Sequence, residues 1–121
     1  MQPSKKILAI ILAAGNSERF NENKLFFEID GIPVLQRTIE NVLSIEKIDS
    51  ILIVNSKKDE LKIQKLLNQI NSDKKIYSVY GGKNRAESLI CATDFITDQK
   101  LNIDYLVVHD GARPFCSNKL I

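Results

Sequence analysis

The fold of this chain is decided by residues 7–24, which read ILAIILAAGNSERFNENK. Residues 7–12 are almost all aliphatic. An apolar run this short is typical of a strand buried on both faces of a parallel α/β sheet. The run ends in Ala13, Ala14 and Gly15, whose side chains are very small. Small residues at the carboxyl end of a buried strand let a ligand approach the backbone, whose N–H groups can hold phosphate oxygens.

Two cations follow this strand end and strengthen that interpretation. Arg19 and Lys24 lie in a polar stretch without periodicity, together with Ser17. They supply positive charge where phosphates would lie, so residues 13–24 predict a nucleotide triphosphate loop. The alternative is an ordinary strand-to-helix loop with two solvated cations.

Two better-known phosphate motifs do not match. A dinucleotide fingerprint needs a third glycine for close helix–strand packing, and Phe20 stands at that position. A Walker-type loop needs Gly-Lys-Ser/Thr, and Lys24 is followed by Leu25. A dehydrogenase is therefore the least favoured function.

The composition of the 121 residues is that of one soluble domain, with 44% hydrophobic residues, 26% charged residues and a formal charge of +2. The sequence contains no basic run that would indicate nucleic-acid binding, and no segment is long enough to span a membrane. Cys91 and Cys116 lie far apart without metal-ligand spacing, which predicts free thiols in a reducing cytoplasm.

The remaining pattern alternates helices and strands. Asp30-Gly31 is a turn pair that closes a short extended piece over 25–29. We expect strands over 51–54, 76–80 and 105–108. We expect helices from Pro33, over 58–70, and in a third segment whose first turn holds Arg85 and Ser88. The residues predicted to face the core from these three helices are, in order, Val34, Leu35, Ile39, Val42 and Leu43; Leu61, Leu66, Leu67 and Ile70; and Leu89, Ala92, Thr93 and Ile96.

A second glycine-bearing stretch, Gly81 to Ser88, follows the third major strand and reads GGKNRAES. Gly81 and Gly82 permit backbone angles and close approaches that other residues resist. Arg85 and Ser88 fall in the first turn of the next helix, where free N–H groups favour polar ligand groups. A plain glycine turn before a helix is the alternative.

The fourth major strand runs into a third stretch, HDGARP, at residues 109–114. We expect this strand to be buried. Asp110 stands at its carboxyl end, a position that suits a Mg²⁺ ion that also contacts phosphates. The alternative is a turn aspartate paired with Arg113. Alternating strands and helices predict one parallel sheet, so the three stretches should share one edge, near the switch point in strand order.

In this order and spacing, the three stretches resemble the 2-C-methyl-D-erythritol 4-phosphate cytidylyltransferases of non-mevalonate isoprenoid synthesis. The first resembles the Ala-Ala-Gly-x-Gly-x-Arg loop of that family, with its following lysine. The second resembles its Gly-Gly-x-x-Arg-x-x-Ser segment, and the third its His-Asp-Gly/Ala-Ala-Arg-Pro segment. The match covers nearly the whole chain.

The resemblance implies a Rossmann-like three-layer αβα fold of nucleotidyltransferase (glycosyltransferase-A-like) type, with a mostly parallel and incomplete sheet. Residues 1–121 would be the nucleotide-binding N-terminal portion of a single cytidylyltransferase domain. Its expected activity is cytidylyl transfer from CTP to the sugar-alcohol phosphate with release of pyrophosphate, in the cytoplasm, with no nucleic acid or membrane partner.

The resemblance also assigns roles to single residues. Arg19 and Lys24 would be catalytic, Asp110 would hold Mg²⁺, and Arg113 would lie on the substrate side. The nucleotide-binding residues it implies are Ala13, Ala14, Gly15, Ser17, Gly81, Gly82, Arg85 and Ser88.

Three departures from the family pattern bear on these roles. Ser17 replaces the second glycine of the first loop, and Asn23-Lys24-Leu25 stands where the family has Pro-Lys-Gln. The family domain is roughly twice as long, and its dimerisation arm belongs to the half without a counterpart here, which leaves a homodimer open. Ribitol 5-phosphate and other sugar-phosphate nucleotidyltransferases are one alternative, and a truncated, non-catalytic nucleotide-binding module is another.

Overall fold

The computed structural model describes residues 5–14 and 24–111. The elements are β1 (Ile7–Ala13), β2 (Glu28–Ile29), β3 (Ile32–Pro33), α1 (Val34–Leu43), β4 (Ser50–Asn55), α2 (Glu60–Leu67), β5 (Lys75–Tyr80), α3 (Arg85–Asp98) and β6 (Tyr105–Asp110). Four of the strands form one sheet in the order β5-β4-β1-β6, and all three pairings are parallel.

The strand β1 is the centre of the sheet, as its apolar run predicts. It pairs with β4 on one side and with β6 on the other, so Leu12 lies opposite both Val54 and Asp110. The chain moves outward from β1 to β4 and β5, and then returns to the other side of β1 as β6. This reversal is the switch point of an open α/β sheet, where the carboxyl ends of the strands leave a crevice.

Helices cover both faces of the sheet and complete the predicted three layers. On one face, α1 and α2 bury Leu35, Ile39 and Ile63 against alternate residues of β1 and β4. On the other face, Ala92 of α3 packs against the intervening residues, among them Leu52. Because side chains of a strand alternate between faces, the unbroken apolar runs of β1 and β4 supply both cores.

The turn at Asp30-Gly31 forms as predicted, joining β2 to the antiparallel β3 with φ values of 54° and 79°. Positive φ at both central residues is the geometry of a two-residue hairpin turn. The segment before it is only partly extended, because residues 24–26 form a 3-10 turn. Pro33 precedes the first residue of α1 rather than lying within it.

The predicted faces of α1 are confirmed, since all five of its expected core residues are buried. In α2 the prediction is wrong for Leu61, which is 81% exposed. Leu66 is buried as predicted, and Leu67 and Ile70 pack against the core. The buried residue in place of Leu61 is Ile63, and Leu61 lies about 200° from it around the helix axis. The helix is also shorter than predicted, with a separate 3-10 turn at residues 57–59.

Two burial predictions elsewhere are also wrong. Thr93 of α3 is exposed, because it lies about 100° around the helix from the buried Ala92. The strand β6, expected to be buried, exposes much of Tyr105, Leu106 and Val108. It lies at the end of the four-stranded sheet and therefore has one neighbouring strand among the described residues.

No helix within residues 5–14 and 24–111 combines the length and apolar character that crossing a bilayer requires.

We predict that Leu52→Ala lowers the free energy of unfolding by about 2–5 kcal/mol, because it opens a cavity beneath α3. The matched control is Leu61→Ala, which removes the same atoms from an exposed position and should change it by less than about 0.5 kcal/mol. Urea denaturation of both variants measures the difference. Equal losses would contradict the orientation of α2 in this fold.

Candidate functional site

The first and second glycine-bearing stretches meet at the carboxyl ends of β1, β4 and β5. A Cβ atom added to Gly81 would lie 2.6 Å from Cβ of Ala14, 2.7 Å from Oγ of Ser88 and 2.8 Å from Cγ1 of Val54. The N–H group of Gly81 donates a hydrogen bond of 2.9 Å to the carbonyl of Asn55 at the end of β4. Position 81 therefore has no room for a side chain, and the two stretches are in direct contact.

The predicted close approach is thus confirmed at Gly81, while a special backbone angle is not the reason for it. Among the described glycines, the positive φ belongs to Gly31. Gly82 is crowded as well, because a Cβ atom there would collide with Cβ of Glu87. Both glycines serve to bring the loop close to its neighbours.

Side chains of α3 hold the loop that follows. Oδ1 of Asn84 accepts a hydrogen bond of 2.9 Å from the N–H of Glu87, and the Glu87 carboxylate accepts one of 3.0 Å from the N–H of Lys83. This reciprocal arrangement resembles a capping box and satisfies N–H groups that a helix start leaves unpaired. It fixes the direction from which α3 begins.

The hydroxyl of Ser88 is fully buried and accepts a hydrogen bond of 3.2 Å from the N–H of Gly82. It therefore holds the glycine turn against α3. Arg85, in contrast, is exposed at the first position of the same helix. Their expected contacts with a nucleotide stay predictions.

The third stretch leaves β6 beside β1 and α1. The N–H of Gly111 donates to the carbonyl of Leu12 at 2.9 Å, and its carbonyl accepts from Oγ1 of Thr38 at 2.8 Å. A Cβ atom at Gly111 would lie 2.9 Å from the Leu12 carbonyl oxygen. Asp110, the residue just before this junction, is half-buried and lies opposite Leu12 in the sheet.

Lys24 begins the 3-10 turn at the same end of the sheet. The next residue, Leu25, lies with its Cδ2 atom 3.1 Å from the position of a Cβ on Gly111. Phe26 packs against the core, and Nζ of Lys62 lies 5.1 Å above its ring. The side chains that follow Lys24 thus anchor this exposed lysine near the end of β6.

The described site residues therefore form two adjoining groups around the end of β1. Ala13, Ala14, Gly81, Gly82 and Ser88 form one, with Arg85 at its exposed margin. Asp110 and Gly111 form the other, beside Leu25, the residue that follows Lys24. The other predicted residues, Gly15, Ser17, Arg19 and Arg113, lie outside the described part of the chain.

The residues present fit the way that proteins hold Mg²⁺. Among the described residues, His, Cys, Asp and Glu side chains form no group of three or more that could ligate a metal ion. Mg²⁺ is commonly bound by one or two carboxylates together with substrate phosphates and water, so it needs no such group. Asp110 can supply a carboxylate of this kind.

Sequence reasoning missed Thr38 and Asn84. Asn84 followed three residues later by Glu87 is a pattern of helix starts, so the capping interaction could have been found. Thr38 gave a weaker signal, since it is a hydroxyl residue at a position where the spacing of α1 predicts an apolar one.

A separate groove of about 260 Å³ lies beside β5 and α2. Tyr80 and Glu60 line it, and the pKa of the Tyr80 phenol is raised from 10.0 by a hydrogen bond to Glu60, by desolvation and by the negative charge of that carboxylate. The residues that line the groove do not include those predicted for nucleotide or metal binding.

Comparison with known proteins decides the family. Residues 7–121 match the family model of 2-C-methyl-D-erythritol 4-phosphate cytidylyltransferase, IspD. The chain belongs to the IspD family. The resemblance inferred from the three stretches is therefore confirmed.

Curated relatives carry the same name. The cytidylyltransferase of Clostridium tetani is 40% identical over 118 residues, which is 96% of this chain and 46% of the relative. The bifunctional IspD/IspF enzyme of Wolbachia pipientis is 37% identical over 118 residues, which is 96% of this chain and 29% of the relative. The chain spans about half the length of the IspD relatives it matches.

Solved structures confirm the three-layer fold. The 4-diphosphocytidyl-2C-methyl-D-erythritol synthase of Anaerococcus prevotii aligns with a TM-score of 0.76 at 31% identity, over 98% of this chain and 48% of the other. Rv0371c of Mycobacterium tuberculosis aligns with a TM-score of 0.72 at 17% identity, over 98% and 58% respectively, which shows a shared fold alone.

We predict that Gly81→Ala lowers the free energy of unfolding by about 1–3 kcal/mol, because the new methyl group must displace Ala14, Ser88 or Val54. The control is Gly31→Asn, where no atom lies within 4 Å and asparagine tolerates the left-handed φ of +79°. Urea denaturation should show that Gly31→Asn lowers the free energy of unfolding less than Gly81→Ala does. The reverse order would contradict the contact between the two stretches.

Proposed function

We propose that this chain is the nucleotide-binding portion of a cytidylyltransferase that transfers a cytidylyl group from CTP to 2-C-methyl-D-erythritol 4-phosphate and releases pyrophosphate. Family membership and the names of its relatives support this reaction. The observation that carries the proposal is the meeting of all three motif-bearing stretches around the carboxyl end of β1. In an open α/β sheet this crevice is where ligands bind.

The reaction we propose is an in-line displacement at phosphorus. A phosphate oxygen of the sugar-alcohol phosphate forms a bond to the α-phosphorus of CTP, and the bond from that phosphorus to the bridging oxygen of the β-phosphate breaks. Both electrons of that bond leave with pyrophosphate. A phosphate monoester is already anionic at neutral pH, so a general base is not required, and catalysis consists of positioning and charge stabilisation.

The residues act through their charge and through the shape of the backbone. We assign to Lys24 and Arg19 the neutralisation of charge on the α-phosphate and the departing pyrophosphate. The small residues Ala13, Ala14 and Gly15, with Ser17, let the triphosphate approach backbone N–H groups. Arg113 is assigned to the second substrate.

The second motif is assigned to the nucleoside of CTP. Gly81 and Gly82 let the backbone pack closely against Ala14 and Glu87, which shapes the side of the site that would face the sugar and base. Arg85 would supply a polar contact from the start of α3, and Ser88 holds the glycine turn in place by accepting the hydrogen bond from Gly82.

Mg²⁺, when bound, would screen the charge of the triphosphate. Asp110 is the residue that would hold it, because its half-buried carboxylate stands at the end of β6 beside the switch point. The hydrogen bond from Gly111 to Leu12 fixes the backbone from which this carboxylate extends.

Cys91 is a free thiol, which supports a reducing compartment, and we propose the cytoplasm. We propose that residues 1–121 form a nucleotide-binding portion whose partners are CTP and a sugar-alcohol phosphate. We propose no nucleic-acid or membrane partner.

The test of this function is calorimetric titration of CTP into the chain with Mg²⁺, with ATP and NAD as controls. Selective binding of CTP is the expected result. Hydrogen exchange checks that the chain is folded. If the folded chain binds no nucleotide, or binds all three equally, the proposal is overturned.

Binding without turnover is the second candidate function, because the chain spans only about half the length of its IspD relatives. Pyrophosphate release in the presence of CTP and 2-C-methyl-D-erythritol 4-phosphate distinguishes the two. Release supports the transferase, and CTP binding with no release supports a nucleotide-binding module. Ribitol 5-phosphate serves as the competing substrate in the same assay.

We predict that Lys24→Ala weakens CTP binding by about 10- to 100-fold, since a hydrogen bond to a charged group contributes about 1.5–3 kcal/mol. In a complete enzyme with this loop, the rate should fall by about 10²–10³. The control is Lys65→Ala, which removes an exposed lysine of α2. Equal CTP affinity in the two variants would remove Lys24 from the site.

A further inference from the structure

Thr38 is a polar residue on the buried face of α1. Its neighbours on that face, Leu35, Ile39 and Val42, are aliphatic, and the exposed fraction of Thr38 is 0%. A buried hydroxyl without a partner is destabilising, whereas an aliphatic residue of similar size would pack there without that penalty. The hydroxyl therefore calls for a specific explanation.

The partner of this hydroxyl lies 73 residues away in the sequence. Oγ1 of Thr38 lies 2.8 Å from the carbonyl oxygen of Gly111 and 3.1 Å from that of Val34. A hydroxyl has one proton, and 2.8 Å is the usual length of an O–H···O hydrogen bond. The Val34 carbonyl is already the α-helical acceptor for the N–H of Thr38. The bond to Gly111 is thus the one that the geometry favours.

This bond completes a junction at the end of β6. The N–H of Gly111 is held by Leu12 of β1, its carbonyl is held by Thr38 of α1, and its Cα is closed in by Leu25 and Leu35. The backbone on the carboxyl side of Asp110 is therefore fixed from three directions.

We propose that Thr38 is a positioning residue for the metal-nucleotide site: its hydroxyl holds the Gly111 carbonyl and thereby orients the carboxylate of Asp110 towards Mg²⁺. The inference rests on the proposed function, since it takes Asp110 as the metal-holding residue. Thr38 itself contacts neither nucleotide nor metal in this role. Partners of this kind typically change metal affinity by about 10- to 100-fold when removed.

The test compares Thr38→Val with Thr38→Ser in the whole chain. Valine keeps the shape and removes the hydroxyl, whereas serine keeps the hydroxyl and removes a methyl group. The first measurement is the Mg²⁺ concentration at half-maximal CTP binding. We expect Thr38→Val to raise it about tenfold, and Thr38→Ser to leave it within about twofold of the unmodified chain, because the serine hydroxyl can form the same bond.

A purely structural role predicts a different pattern. Serine leaves a small cavity, so a role in packing alone would make Thr38→Ser at least as damaging as Thr38→Val. The matched control is Thr93→Val, because Oγ1 of the exposed Thr93 donates to the carbonyl of Ile90 in its own helix at 3.0 Å. It should leave the Mg²⁺ requirement unchanged.

The second measurement is hydrogen exchange of the Gly111 amide, which needs no ligand. We expect faster exchange in Thr38→Val than in Thr38→Ser, with the amides of β4 unchanged. Equal Mg²⁺ requirements in the two variants, or equal exchange at Gly111, would overturn the role of Thr38. If the unmodified chain shows no Mg²⁺-dependent binding of CTP, the proposed function fails, and so does the role of Thr38 in metal binding. Hydrogen exchange at Gly111 then decides whether Thr38 orders the end of β6.

Discussion

The parallel pairing of β1 with strands on both of its sides is the constraint on which the rest of the structure depends. Seven residues, Ile7–Ala13, pair with β4 and β6, and alternate side chains enter two separate cores. Because β1 has neighbours on both sides and helices over both faces, only its ends are open. The small residues Ala13 and Ala14 lie at one of them, so the strand that forms the core also opens the site.

The two sides of β1 contribute different parts of the site. On the β4 side, Gly81 lies close to both Ala14 and Ser88, and the groups that meet there are apolar or neutral. On the β6 side, Lys24 and Asp110 bring charge to the junction at Gly111. Under the proposed function, Gly81 and its neighbours would face the uncharged sugar and base, the charged residues would face the triphosphate and its cation, and Ala13 and Ala14 would lie between them.

The elements and their order could be predicted from the sequence because each depends on a local pattern. The aliphatic run of β1, the turn pair Asp30-Gly31 and the spacing of core residues in α1 all act over a few residues. The errors arise where tertiary context decides. Leu61 is apolar but lies away from the face of α2 that carries Ile63 and Leu66, and only the sheet determines which face is buried. The exposure of β6 follows from its place at the end of the sheet, which a strand pattern does not encode.

The site follows the same division. The placement of Gly81 and Asp110 at the ends of β5 and β6 could be predicted, because glycines or polar residues that follow an apolar run mark the end of a strand, whereas their binding roles stay predictions. The atoms that hold them could not, because they are mostly backbone groups of distant segments. The carbonyls of Leu12, Asn55 and Gly111 carry no sequence signal, and Thr38 looks like an ordinary helix residue until β6 is placed beside α1. Long-range hydrogen bonds to backbone thus give the motifs their relative positions, and these are the interactions that motif spacing alone leaves undetermined.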